Sequence, residues 1–459
     1  MFANIDKLDE VRKRLDAISP SFCMAKWLQS SIHLMTGHTR SCCLPKPHKI
    51  DLEELKTNPS ALHNTEINKQ SRKQMKCGER PKECQTCWSF EDLPGNHYSD
   101  RHYRGVEDWT LPFYEKVEKL NWKENINPTY MEVSFSSTCN FKCMYCSPSL
   151  SSSWMKEIKS YGPIKLSPPS FHQDLRFIGQ ESFEEDQNPY LDAFWEWWPS
   201  LSKELMYFRI SGGEPLLSET TFKVLEWLKE NPRKQLQMSI NSNMGVSEKR
   251  ISRFIELLKS LYTEKKIKSY LLHTSLDTWG PQSEYIRTGL NLKDFNRNLD
   301  RYLEEMPESS LAFMCTFNCL SLINFEEFLE YIMSLRKRLT SNYREIFLDI
   351  AHLERPEMFS AQILTKDFDD KMTRLIAFMK NHENERSGIK RAEIQKMERI
   401  QHWMRQEKPK DWLDKKRADF YLYLKAHDER RGVDFLETFP QMRDFWELCK
   451  KTHESLVRR

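Results

Sequence analysis

Short apolar runs alternate with amphipathic segments between about residues 128 and 365, and this alternation constrains the fold more than any other feature of the chain. The runs have the length and composition of strands and read MEVSF, LMYFRIS, LQMSIN, YLLHTSL, LAFMCTF and IFLDIAHL. Strands that alternate with helices predict βα units and a parallel sheet. Six such units predict an α/β fold with a partial (β/α)6 barrel of the TIM type, whose active groups lie at the C-terminal ends of the strands.

Two of the segments between these strands have a clear helical period. The first carries apolar residues at Ile251, Phe254, Ile255, Leu258 and Leu261, after a candidate N-cap at Ser247. The second carries them at Phe325, Phe328, Leu329, Ile332 and Leu335, after Asn324. Apolar residues at this spacing predict amphipathic helices.

The segments outside the alternation predict two further domains. Residues 1–98 form a small, loop-rich, Cys-rich domain, residues 99–365 the barrel, and residues 366–459 a charged helical extension with a solvated face. An insertion rich in Ser, Pro and Trp interrupts the barrel at about residues 151–200. We expect the three tryptophans at its end, in AFWEWWP, to be packing residues rather than a platform for nucleic-acid bases.

Composition excludes several classes of protein. The 459 residues are 39% hydrophobic and 12% aromatic, which suffices for a core and argues against a disordered chain. Lys and Arg total 70 against 67 Asp and Glu, so general nucleic-acid or membrane-surface binding is not expected. No apolar run approaches the ~18 residues of a membrane helix, and the charged N-terminus does not resemble a secretory signal. We therefore expect a cytoplasmic protein with no membrane or nucleic-acid partner.

Twelve cysteines are unevenly placed, and nine of them lie before residue 147. In a reducing compartment, cysteines bind metal or do chemistry more often than they form disulfides. The sharpest group is CNFKCMYC after the first barrel strand, with Cys139, Cys143 and Cys146. Three thiolates on one loop can bind three irons of a [4Fe–4S] cluster, which leaves the fourth iron open to a small molecule. A structural zinc site and a chance cluster are the alternatives, but the following SPSLSSSW offers zinc no fourth ligand.

A glycine-rich tetrapeptide follows the second strand and consists of Gly212, Gly213, Glu214 and Pro215. Two glycines let the backbone approach a ligand closely, and a glutamate accepts hydrogen bonds from an ammonium group. Placed one strand after the cysteine loop, this tetrapeptide makes the chain resemble the radical SAM superfamily closely. The resemblance covers about residues 128–365.

The resemblance implies that S-adenosylmethionine (SAM) binds the open iron through its amino and carboxylate groups. One electron from the cluster then cleaves SAM to methionine and a 5′-deoxyadenosyl radical, which abstracts a hydrogen atom from the substrate. A closed, strand-lined pocket keeps water away from such a radical. A one-electron donor, such as a flavodoxin or ferredoxin, is the partner that this chemistry implies.

The resemblance also implies which side chains bind SAM. The two glycines and the glutamate of the tetrapeptide face the methionyl amine, and Tyr145 lies near the adenine. Ser275 and Asp277 reach the ribose, and Arg287 binds the carboxylate, for which its planar fork is suited. A turn or cap role is the alternative for Ser275, Asp277 and Arg287.

Five further residues are candidates for the same site. Asn241 and Asn243, in SINSNM, resemble the family's third-strand Asn position, with a turn or cap role as the alternative. Cys315 in the fifth strand could donate a hydrogen atom or proton, although such a cysteine is more often a small buried hydrophobe. Asp349 and His352 end the sixth strand, where a general base could act, and a capping or core role is the alternative.

A second group of cysteines precedes the barrel and comprises Cys23, Cys42, Cys43, Cys77, Cys84 and Cys87. A first cysteine, a G-x4-C segment and a C-x2-C pair resemble the auxiliary-cluster part of the twitch and SPASM extensions of radical SAM enzymes. Such an extension normally follows the barrel, and here it precedes it. The resemblance implies a second [4Fe–4S] cluster, bound by Cys23, Cys42, Cys84 and Cys87. Cys43 for Cys42, Cys77 for either cysteine of the pair, and zinc on the same four thiolates are the alternatives.

The substrate is inferred only by analogy. Relatives with such extensions modify peptides or proteins, or oxidise small hydroxylated molecules. We expect a peptide or protein substrate, with a small-molecule dehydrogenase as the second candidate. A non-catalytic module with two zinc knuckles for protein or nucleic-acid contacts is the candidate from a different class.

Overall fold

The computed structural model describes residues 5–95, 97–167, 185–339 and 344–458, and it has a mixed α/β architecture with a large, mostly parallel sheet. Its strands are β1 Gln29–His33, β2 His38–Arg40, β3 His48–Lys49, β4 Tyr130–Ser134, β5 Lys142–Cys143, β6 Tyr207–Ser211, β7 Arg233–Ser242, β8 Ile267–Ser275, β9 Arg287–Thr288, β10 Ser310–Phe317 and β11 Ile346–His352. The hydrogen-bonded order of the large sheet is β11-β10-β8-β7-β6-β4-β1-β2-β3, and β5 pairs with β9 separately.

The helices of the described residues lie mainly between the strands and after the last strand. They are α1 Ile5–Ile18, α2 Ala25–Leu28, α3 Leu52–Thr57, α4 Glu66–Lys76, α5 Gln85–Glu91, α6 Asp100–Gly105, α7 Tyr114–Lys119, α8 Ser152–Tyr161, α9 Pro189–Glu204, α10 Glu219–Glu230, α11 Glu248–Thr263, α12 Pro281–Ile286, α13 Leu292–Glu305, α14 Phe325–Leu339, α15 Lys366–Asn381, α16 Arg391–Met404, α17 Lys410–Arg431, α18 Phe435–Thr438 and α19 Arg443–Val457. None of these helices is long and apolar enough to cross a membrane.

Six strands are the ones that the sequence predicts, and they follow one another across the sheet in chain order, as β4-β6-β7-β8-β10-β11. The pairs β4–β6, β6–β7, β8–β10 and β10–β11 are parallel. Parallel neighbours need a crossover connection, and helices lie between all six strands. The predicted parallel sheet of βα units is therefore confirmed.

The prediction that the N-terminal region is loop-rich is wrong. Residues 5–95 contain five helices, and β1 joins the large sheet parallel to β4, with Ser31 opposite Glu132. The sequence of β1, QSSIH, is mostly polar and lacks the apolar alternation of a half-buried strand, yet Gln29, Ser30 and Ser31 are buried. Its place in the sheet is set by the tertiary contacts and not by local pattern.

The chain divides into two compact units. The first consists of Met1–Ser136, Glu181–Ile240 and Ser260–Tyr270, and the second of Ser137–Gln180, Asn241–Lys259 and Leu271–Arg459. In the first unit, Leu15, Trp27, Met75, Trp88 and Tyr114 belong to one buried cluster. Cys87 is a member of this cluster, and Cys23, Cys42 and Cys84 pack against it.

The tryptophans of α9 pack within the first unit, as the sequence predicts. Trp198 is fully buried and lies 4.8 Å from Phe208 and 5.6 Å from Trp227 between ring centroids. The Trp197 indole donates a hydrogen bond to Asn127 at 2.8 Å. Both side chains are therefore part of the core rather than a surface for nucleic-acid bases.

The two predicted amphipathic helices, α11 and α14, are present, and their periodic apolar residues are all buried. The expectation that the C-terminal extension is a solvated charged face is only partly correct. Helix α17 buries Phe420, Tyr423 and Leu424, and the Phe420 ring lies 5.4 Å from that of Phe445 on α19. The sequence did not predict this packing, because the apolar residues of α17 are interspersed with charged ones.

Candidate metal centres

The four predicted auxiliary cysteines of the first unit line a single cavity. Cys23 precedes α2, Cys42 follows β2, Cys84 ends a 3₁₀ turn, and Cys87 lies one turn later on α5. The structure thus brings together one loop cysteine from each side of the β1–β2 hairpin and the C-x2-C pair. Four cysteines on the lining of one cavity have the chemistry of the donor set of an all-thiolate metal centre.

Two of the other N-terminal cysteines occupy different positions. Cys43 and Cys77 are exposed and lie outside the set of residues that line the cavity. Their placement favours Cys42 and the Cys84/Cys87 pair over the alternatives in which Cys43 or Cys77 replaces one of them. Within the described ranges, no group of three or more His, Cys, Asp or Glu side chains is arranged to hold a metal ion.

Local packing explains why these cysteines converge. The Trp88 indole donates to the carbonyl of Pro81 at 3.0 Å and closes the turn that carries the C-x2-C pair. The Arg101 guanidinium donates to the carbonyl of Phe22 at 3.0 Å and ties α6 to the segment before Cys23. Gly37, five positions before Cys42, has φ +60°, and an added Cβ would lie 2.0 Å from the Tyr190 ring. Glycine is therefore required in the β1–β2 turn.

Charged residues are also part of the lining of this cavity. Lys26, Arg101 and Arg104 line it together with one carboxylate, Asp100. Arg101 is 4% exposed and its ion pairs with Glu91 and Asp16 measure 2.8 and 3.1 Å. Lys26 pairs with Glu83, and Arg104 pairs with Asp100, so each cation of the lining has a carboxylate partner.

Burial controls the protonation of the four thiols. It raises the pKa of Cys23 and of Cys84 to about 12, and it also raises the pKa values of Cys42 and Cys87. The free thiols are therefore protonated at neutral pH. A metal binds the thiolate, so loading of this site must release protons and becomes more favourable as the pH rises.

The three-cysteine loop belongs to the second unit. Its short strand β5 pairs with β9, with Cys143 opposite Arg287. The backbone N–H of Cys146 donates to the carbonyl of Cys143 at 2.9 Å, and the Phe141 N–H lies 3.4 Å from the sulfur of Cys139. These contacts hold the three thiols on one tight turn, and burial raises the pKa of Cys143.

Side chains from the start of α8 fix the main chain of this loop. Ser153 donates to the carbonyl of Cys139 at 2.6 Å and Ser151 to that of Phe141 at 2.7 Å. The Trp154 indole donates to the carbonyl of Cys143 at 2.8 Å. The sequence analysis passed over the segment SSSW because it offers no metal ligand. The position of three hydroxyls and an indole directly after a cysteine loop was the available signal.

Helix α17 contacts the same loop from the C-terminal extension. The Tyr423 hydroxyl donates to the carbonyl of Met144 at 3.1 Å. Arg431 lies over the Trp154 ring at 4.9 Å, and it pairs with the buried carboxylate of Glu157 at 3.1 Å. The extension is thus part of the support of the cysteine loop, a role that the sequence analysis did not assign.

Three predicted SAM-binding residues lie together in the second unit, but they bind one another. The Tyr145 hydroxyl donates to Asp277 at 2.7 Å, and Arg287 contacts both Asp277, at 3.2 Å, and the Tyr145 oxygen. The other Asp277 oxygen accepts from the Thr316 N–H at 2.9 Å. Burial raises the pKa of Tyr145 well above its usual value, so its hydroxyl stays protonated. The network sits beside Cys143 and would have to open for these groups to contact a ligand.

The predicted asparagine and serine candidates have different surroundings. Asn243 donates to the side chain of Asn140, inside the cysteine loop, at 2.9 Å, and it accepts from the Gly245 N–H at 2.8 Å. Its observed role is to hold the loop. Asn241 lies near the end of β7, and Ser275 ends β8 opposite Met314.

The glycine-rich tetrapeptide of the first unit follows β6 as expected. Gly212 has φ +122°, and an added Cβ would lie 2.4 Å from the Ser134 hydroxyl and 2.8 Å from the carbonyl of Ser136. Glu214 is buried and accepts a hydrogen bond from the Leu216 N–H at 3.0 Å, which caps the 3₁₀ turn Pro215–Leu217. Only glycine satisfies the first position, because both its φ and its close contacts exclude a side chain.

The chain matches no protein-family model, and no curated protein sequence matches it. Its function is therefore inferred from its residues and their geometry.

The three candidates for proton or hydrogen transfer are in ordinary structural positions. Cys315 is buried, and its sulfur lies 3.8 Å from the carbonyl of Asp277. Asp349 pairs with Lys396, and the His352 ring lies 4.4 Å from that of Trp403. Cys315 is the one of the three that borders the buried network around Asp277.

Proposed function

We propose that this chain is a radical SAM enzyme with two [4Fe–4S] clusters and a partial (β/α)6 barrel. The observation that carries the proposal is the convergence of Cys23, Cys42, Cys84 and Cys87 on the lining of one cavity. These four positions were assigned as one ligand set from the resemblance, and they come from three separate segments of the chain. Such a set is what an auxiliary cluster requires.

The residues of the three-cysteine loop support the second element of the proposal. Cys139, Cys143 and Cys146 would bind three irons, and SAM would bind the fourth. When bound, this cluster supplies one electron that cleaves SAM and yields a hydrogen-abstracting radical. The chain itself holds the loop rigid through Trp154 and Tyr423, each of which donates to a loop carbonyl. A rigid ligand loop keeps the metal geometry fixed.

The SAM-binding roles of Gly212, Gly213 and Glu214 rest on the resemblance. The turn at Gly212 leaves no room for a side chain because Ser134 and Ser136 occupy the space that an added Cβ would need. Tyr145 and Arg287 keep their proposed roles only if their bonds with Asp277 exchange for bonds with SAM.

The substrate remains a proposal by analogy. A peptide or protein is the first candidate, and a small hydroxylated molecule that is dehydrogenated is the second. In both cases a flavodoxin or ferredoxin would supply the electron. The rival proposal is a non-catalytic module with zinc on the same cysteines, and it predicts a colourless, iron-free protein.

Cleavage of SAM by the reconstituted, chemically reduced chain tests the proposal. We expect 5′-deoxyadenosine from the wild type and none from Cys143→Ala. Cys77→Ala is the matched control, because this cysteine is exposed and outside both ligand sets, and it should cleave SAM as the wild type does. Unaltered cleavage by Cys143→Ala would contradict the assignment of the loop. If the wild type cleaves SAM and Cys143→Ala does not, mass spectrometry identifies the substrate class. Candidate peptides and metabolites are incubated with SAM and the reduced chain for this measurement.

A further inference from the structure

Lys26 is a buried cation on the wall of the four-cysteine cavity. Its side chain is 2% exposed and forms an ion pair with Glu83, which is 23% exposed. Lys26 is among the residues that line the cavity, whereas Glu83 is not, and Glu83 also accepts a hydrogen bond from the Ser71 hydroxyl at 3.0 Å. Only the cation of this pair therefore belongs to the lining.

The backbone at Lys26 is held in place by a second buried cation. The Arg72 guanidinium donates to the carbonyl of Lys26 at 3.2 Å, and it also contacts Asn64 and His63, both at 2.9 Å. Lysine is almost never fully buried unless it is paired, and a single partly exposed carboxylate compensates poorly for the loss of water. An additional negative charge inside the cavity would explain why the ammonium is kept there.

Ser41 is a second polar group on the same wall, next to Cys42. Its side chain is 1% exposed, and its hydroxyl has no hydrogen-bond partner among the described residues. Buried hydroxyls are normally satisfied, and each exception calls for an explanation. A bound acceptor in the cavity, such as a thiolate or a sulfide, would satisfy this donor.

We propose that Lys26 and Ser41 contact the sulfur atoms of the auxiliary cluster and raise its reduction potential, an inference that rests on the proposed function. Reduction adds one electron to the cluster and therefore one negative charge to the cavity. A nearby ammonium and a hydrogen bond to sulfur both favour the more negative state. Neither residue is a metal ligand. Both act on the cluster by stabilising the negative charge that reduction adds.

A redox titration followed by electron paramagnetic resonance tests this role. The full chain carrying Cys143→Ala is reconstituted, so that the auxiliary cluster alone contributes the signal, and it is titrated against a chemical reductant. In this background, Lys26→Met should lower the midpoint potential by about 59 mV or more, which is a tenfold change in the ratio of reduced to oxidised cluster. Ser41→Ala should lower that ratio about threefold, since one hydrogen bond to sulfur is lost.

Lys56→Met is the matched control, because Lys56 belongs to an exposed Lys–Glu pair of the same unit and should leave the potential unchanged. If Lys26→Met loses its auxiliary iron, recovery of that iron in Lys26→Arg supports the requirement for a charge. If both Lys26 variants lose iron, the midpoint potential of Ser41→Ala tests the inference: a lower midpoint supports it, and an unchanged midpoint overturns it. Unchanged midpoints in Lys26→Met and Ser41→Ala would overturn the inference. A wild-type chain without a second paramagnetic cluster would instead overturn the proposed function itself.

Discussion

Replacement of Gly212 by alanine isolates the steric requirement of the glycine-rich turn. The new Cβ would lie 2.4 Å from the Ser134 hydroxyl and 2.8 Å from the carbonyl of Ser136, and the second contact cannot be relieved by a rotamer change. Overpacking of this kind costs about 1–3 kcal/mol. The positive φ adds about 1 kcal/mol or more for a residue with a Cβ. We therefore expect Gly212→Ala to lower the free energy of unfolding of the first unit by about 2–4 kcal/mol.

Urea unfolding of matched variants measures this difference. Gly78→Ala is the control, because Gly78 lies in the same unit and also has positive φ, +79°, while its nearest contact with an added Cβ is an ordinary 3.6 Å. The control should lose only the backbone contribution of about 1 kcal/mol. Gly212→Ala should also bind SAM more weakly than the control does. Equal destabilisation by the two substitutions would refute the close contact at Gly212.

Three further variants probe the site and its support. Glu214→Ala should weaken SAM binding more than iron binding, as measured by equilibrium dialysis and metal analysis, and equal loss of both would indicate misfolding instead. Tyr423→Phe removes the bond to the Met144 carbonyl, worth about 1 kcal/mol, and should speed iron loss to a chelator from the three-cysteine loop; an unchanged rate would mean that α17 does not support the loop. Burial lowers the pKa of His427 from 6.5 to about 4. Between these pH values the imidazole is protonated in the unfolded chain but neutral in the folded chain, so a fall in pH favours unfolding. Wild type should lose about 3 kcal/mol of stability from this group between these pH values, and His427→Gln should not; parallel pH profiles of the two proteins would contradict the assignment.

The sheet could be predicted where the sequence has apolar runs bounded by helices. All six runs became strands, and along most of them buried residues alternate with less buried ones, as expected when one face of a strand packs against the core. β1 was missed because QSSIH carries hydroxyl and amide groups, and its burial depends on β4, about a hundred residues later in the chain. Local pattern carries no information on a partner so distant.

The ligand sets could be proposed from cysteine spacing, but the rest of each site could not. Lys26 and Arg101 have no motif that marks them as cavity residues, and only the fold brings them to the thiols. In the second unit, the buried bonds among Tyr145, Asp277 and Arg287 depend on the contact of the cysteine loop with a segment more than a hundred residues later in the chain. Charged residues carry no sequence signal of their partners, so such networks emerge only with the tertiary structure.

The stoichiometry of iron and acid-labile sulfide in the anaerobically reconstituted chain tests the central claim most directly. Two [4Fe–4S] clusters predict about eight irons and eight sulfides per chain for the wild type, and about four of each for Cys84→Ala. Cys77→Ala should keep the wild-type content, because its thiol lies outside the cavity. Bound zinc without labile sulfide, or an iron content that does not change in Cys84→Ala, would contradict the account.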